Sequence, residues 1–102
     1  MTTTSATTLY TAPTAATSII KSILVSEDSG NADTITVTIT DTSDAVFSLF
    51  KTKSISANAT TELLTAPLVL QQNEVLKVTA ATANRLHVVL SALQSKPREV
   101  IT

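Results

Sequence analysis

The stretch Thr34-Ile35-Thr36-Val37-Thr38-Ile39-Thr40 decides how the rest of this chain is read. Every second residue is an apolar β-branched side chain, and every residue between them is a threonine. A helix would scatter the two classes around its axis, whereas a strand sends successive side chains to opposite faces. The segment therefore reads as a strand with one buried aliphatic face and one hydroxyl face. Thr on the outer face needs only propensity to explain it, because a branched hydroxyl side chain fits a pleated, half-wet surface.

Working outward, residues 17–27 carry Ile19, Ile20, Ile23, Leu24 and Val25. These apolar pairs break strict alternation, which predicts a bulge or a strand covered on both faces. Between the two runs, Glu27-Asp28-Ser29-Gly30-Asn31 is the strongest turn signal, and it holds the chain's single glycine where a positive φ is expected. Residues 17–41 thus read as an antiparallel hairpin. Asp41-Thr42-Ser43-Asp44 turns the chain again. Residues 45–52 alternate less cleanly but hold both phenylalanines, so a strand crossing the core is expected there.

Further along, Ile55 to Leu64 reads as two short strands about a polar kink, and Pro67 restarts the chain into Leu68-Val69-Leu70. Glu74 to Ala80 sets Val75, Lys77 and Thr79 against Leu76 and Val78. In the last strand Leu86, Val88, Leu90 and Ala92 are expected inward, with Arg85, His87, Val89 and Ser91 outward. The spacing of Leu86, Leu90 and Leu93 also fits a helix, but alternation favours a strand. About seven or eight short strands, with turn signals every 8–12 residues or so, predict a single small antiparallel β-sandwich, jelly-roll-like or immunoglobulin-like. Residues 1–12, mostly Thr, Ser and Ala, read as a flexible N-terminal arm with Leu9 and Tyr10 as its anchors. Residues 13–95 read as the sandwich and residues 96–102 as a C-terminal tail.

Composition narrows the chemistry. A chain of 102 residues is one domain, large enough to bury more than about 60% of its unfolded surface. It has no cysteine, which removes disulfides and thiolate metal sites and suits a reducing compartment. A net charge of -1 with scattered lysines and arginines argues against nucleic acid. No apolar run approaches the length of about 20 residues that spans a bilayer, and Met1-Thr2-Thr3-Thr4-Ser5 lacks the features of a secretory signal. The expectation is a soluble protein with no membrane partner.

The residues that invite sharper readings do not form constellations. His87 is the only histidine and has no co-ligand at metal spacing, so a surface or interface role is expected and no metal. Glu27, Asp28 and Asp33 around Gly30 lack the alternating oxygens and closing Glu of a calcium loop, which leaves a solvated turn. Asp41 and Asp44 flank a turn without a His or Lys companion. Asn58-Ala59-Thr60 matches a glycosylation sequon but has no secretory context. Two Phe and one Tyr make no stacking platform. Neither a catalytic site nor a cofactor site is expected, and the chain is read as no enzyme.

The segments resemble a known family. Leu9-Tyr10-Thr11-Ala12-Pro13, followed by Thr17-Ser18-Ile19-Ile20-Lys21-Ser22-Ile23-Leu24-Val25-Ser26, is similar to the opening of small β-rich virion structural proteins of tailed bacteriophages, of the type carried by phages of cyanobacteria and marine bacteria. The later "LxL" (Leu68-Val69-Leu70), "xLKVTA" (Leu76 to Ala80) and "AN.L.VVLS" (Ala83 to Ser91) patterns fit as well. The resemblance covers about residues 9–93; it departs at Glu27-Asp28 and in the tail from Ser95 to Thr102. It implies a virion component assembled in the host bacterial cytoplasm. The leading expectation is a capsid decoration or cement protein on the outer head surface, contacting the major capsid protein as a homo-oligomer, with a trimer plausible. The alternative is a tail, baseplate or fibre module that touches the host surface. In either case the arm is expected to extend across a neighbouring subunit, with Leu9 and Tyr10 as partner contacts.

Overall fold

In chain order the strands are β1 (Thr7–Thr11), β2 (Thr17–Glu27), β3 (Asp33–Thr40), β4 (Val46–Ile55), β5 (Thr60–Glu62), β6 (Leu68–Leu70), β7 (Val75–Ala80) and β8 (Leu86–Ser95). They come from a computed structural model that describes residues 1–95; the expected tail, 96–102, lies outside the described residues. All pairings are antiparallel. One sheet has the order β1-β7-β3-β4. In the other, β2 pairs along its length with β8, while β5 and β6 share its opposite edge. The fold is an all-β sandwich.

The 34–40 alternation is realised as read. Ile35 and Val37 are fully buried and Ile39 packs against the core, while the threonines between them face outward. Across the sandwich they meet Ile20, Ile23 and Val25 of β2, with Leu76, Val78 and Ala80 of β7 beside them. Leu70, Ile55, Leu63 and Leu86 complete the buried core. The fully buried core is aliphatic, so close packing of branched chains holds the sheets together. The expected parity of β7 is also seen, with Leu76 and Val78 inward and Lys77 and Thr79 outward. β8 is a strand. Its inward parity holds from Leu86 to Leu90, but Ala92 is exposed although it lies opposite the buried Ile20.

The expected 17–41 hairpin is not formed. β2 and β3 lie in different sheets, and the turn at Gly30 (φ +83°) carries the chain between layers. Alternating strands about a turn read the same whether the second strand pairs with the first or crosses over to face it. The hairpin that does form is β3–β4, around Asp41.

The core-crossing reading of 45–52 holds only in part: Phe50, opposite Val37, packs against the core, but the rest of the segment lies outside it. β4 is an edge strand, and Phe47 is 59% exposed although it lies opposite Ile39. Its ragged alternation has a physical origin: from Asp33↔Ile55 to Thr40↔Val46, β4 carries more residues than β3, and two register shifts absorb the excess. At one of them Thr52 adopts φ +50° and donates its backbone N–H to Thr36 Oγ1 at 3.0 Å.

Residues 1–12, read as an arm, are built into their own domain. β1 pairs with β7, Ala12 is fully buried, and Met1 packs against the core with its carbonyl accepting the Asn84 N–H at 2.8 Å. The strand anticipated on a neighbour's sheet edge sits on the edge of its own sheet.

Candidate interaction surface

Strand β2 positions the most distinctive surface. A bulge at Lys21 divides it: Ser18, Ile20, Ile23, Val25 and Glu27 point inward, and Ile19 and Leu24 point outward. Ile19 sits between Val69 of β6 and Leu93 of β8, and Leu24 sits beside Val89. Val89 and Leu93 are 60% and 51% exposed. The outer face of this sheet thus carries an apolar cluster of Ile19, Val69 and Leu93 across three strands and a second apolar pair, Leu24 and Val89. Ser22, Ser91 and Glu62 lie between and beside them. The outer face of the other sheet carries the threonines of β3 with Lys77, Thr79 and the exposed Val46. Such apolar groups gathered on one face mark a contact surface. The apolar pairs of residues 17–27 signalled it, but a strand covered on both faces gives the same pattern as one whose second face is bare.

The anchors Leu9 and Tyr10 are half-buried against their own core. The Tyr10 hydroxyl is hydrogen-bonded to the fully buried Ser18 Oγ at 2.8 Å and accepts from Gln94 Nε2 at 2.7 Å, joining β1, β2 and β8.

The acidic turn is more than a solvated loop. Glu27 is 1% exposed. Its carboxylate accepts the Ser29 hydroxyl, the Ser29 N–H at 2.7 Å and the Asn58 N–H at 2.9 Å. The Ser29 hydroxyl bond first, then these backbone N–H groups, outweigh burial and lower its pKa to about 2. Asp33 is likewise buried and accepts the Thr82 N–H at 3.1 Å. Both carboxylates tie loops at the same end of the sandwich, a role that composition could not separate from solvent exposure. Asp28 stays outside and faces His87 at 3.4 Å; both are exposed, so their attraction is screened. Asp41 accepts from the Ala45 N–H and from the hydroxyl and N–H of Ser43, which lower its pKa and make it a turn latch. Asn58 occupies a left-handed turn position, φ +55°. Among the described residues no three His, Asp or Glu side chains converge as metal ligands would.

No family model, curated protein or solved structure matches the chain.

Proposed function

We propose that this is a non-enzymatic structural protein of a bacteriophage virion, a decoration protein that lies on the outer capsid surface and reinforces contacts between capsid subunits. The observation carrying this reading is the apolar outer face of the β2 sheet, with Ile19, Leu24, Val69, Val89 and Leu93 on a short, closely packed support. A flat apolar sheet face suits another protein surface better than a small molecule, which calls for a concave site. The resemblance at residues 9–26 and 83–91 supplies the virion context. The opposite, hydroxyl-rich face would meet solvent.

Electron cryo-microscopy of the phage that encodes the chain, with the protein labelled, tests this reading. Density for the sandwich on the outer head, β2 sheet against the capsid, is the expected result. Density confined to the tail or baseplate would replace it with the host-contact alternative.

A further inference from the structure

The sheet edges of this sandwich are treated unequally. β4 is long but carries two bulges together with Lys51 and Lys53. β1 is short and interrupted by a register shift at Leu9, and β5 and β6 span three residues each. Short edges, bulges and lysines are the devices that stop a strand from pairing with another chain. β8 has none of them. It runs ten residues, contains no proline, lysine or arginine, and leaves the bulge in its pairing to β2. Among the described residues β2 is its only partner strand.

We infer that the free edge of β8 pairs with β8 of a second copy of this chain, antiparallel about a two-fold axis through Ser91. Residues directly opposite in an antiparallel pair point to the same face, so the register must keep parity. Centring on Ser91 sets Val89 against Leu93 of the second copy, twice, on the outer face. It also sets Leu90 against Ala92 of the second copy on the inner face. Val89 and Leu93 are the large apolar side chains of β8 left most exposed in the single chain. No like charges meet, because the only ionisable side chain of β8, His87, falls opposite Ser95. The same operation on β4, centred on Thr52, would set Lys51 against Lys53 of the second copy, twice. The contact is isologous and closes on itself, so it yields a dimer rather than a fibre. It also makes the apolar outer faces of the two β2 sheets continuous. The inference does not rest on the virion reading.

A chain without cysteine makes the test direct. Opposed Cα atoms in an antiparallel pair lie about 4.5–5.5 Å apart, inside the range of about 4.4–6.8 Å that a disulfide bridges. Full-length Ser91→Cys should convert to a covalent dimer under mild oxidation, while Ser48→Cys on exposed β4 should stay monomeric. By sedimentation over a concentration series, the unmodified chain should reach a dimer, and Ser91→Lys should remain a monomer with unchanged circular dichroism. Equal cross-linking of the two cysteine variants, or a monomer at every concentration, would overturn the β8 interface. Neither readout involves a phage particle, so this interface and the capsid reading fail separately.

Discussion

Glu27 and Asn58 stand 31 positions apart, yet the buried carboxylate of the first accepts the backbone N–H of the second at 2.9 Å. One side chain thereby joins the turn after β2 to the turn after β4. The carboxylate has no other fate at this depth, because an ionised group withdrawn from water must be fully hydrogen-bonded.

This latch sets an acid limit on stability. Its pKa falls from 4.5 when free to about 2 in the fold. A depressed carboxylate stabilises the fold fully above the unfolded value and loses that contribution as pH falls through the folded one. The melting temperature should hold above about pH 5 and decline progressively toward pH 2. Glu27→Gln should melt several degrees lower at neutral pH and show a flatter decline, in calorimetric scans across that range. An identical pH profile for both proteins would remove Glu27 from this role.

The Tyr10–Ser18 pair offers a second test. Tyr10→Phe leaves the Ser18 hydroxyl buried without its partner, at a cost of about 1–3 kcal/mol. Ser18→Ala in the same background should recover much of the loss, since both polar ends are then gone. Urea unfolding of the two single variants and the double variant measures the coupling.

Backbone strain at the left-handed positions separates residues by type. Thr52 is β-branched at φ +50°, the least favoured choice for that conformation. Thr52→Asn should therefore stabilise by roughly 0.5–1 kcal/mol. Gly30→Ala should do the reverse, by about 1 kcal/mol; an added Cβ meets nothing within 4 Å, so the cost is conformational rather than steric. Opposite shifts in the urea midpoint are expected, and shifts of the same sign would contradict the two φ angles.

On β3, Val37→Asp should abolish folding, since an unpaired buried carboxylate costs several kcal/mol against a total of about 5–15 kcal/mol. Thr38→Asp, one position along and outward-facing, should leave the circular dichroism spectrum unchanged. Equal tolerance would mean that the two faces of the strand are not distinguished.

The residue-by-residue faces of β3 and β7 were legible in the sequence because alternation reports them directly. The partners of each strand were not. Nothing local at Gly30 separates a hairpin from a crossing between layers, so the partner of each strand on either side of it is not legible there. Aromatic residues belong in cores on average, and Phe50 does pack there, but Phe47, on the edge strand β4, is left exposed. The apolar outer face needed Val69 and Leu93 to be seen flanking Ile19, a juxtaposition made by strands far apart in the chain. Leu9 and Tyr10 are legible as anchors, but the sheet they anchor to is their own.

The pairing of β2 with β8 also dictates how the molecule comes into being. Ile20 finds its strand neighbour at Ala92, and Glu27 finds its own at Leu86. During synthesis β2 emerges early and must wait, one edge bare, until nearly all the rest has left the ribosome. The β3–β4 hairpin can close locally in the meantime, whereas the second layer is built from distant pieces and completed only when β8 arrives. Closing such long loops before any contact rewards them makes folding slow. A nascent chain stalled before Leu86 would present β2, with Ile19, Ile20, Ile23, Leu24 and Val25, to every other chain around it.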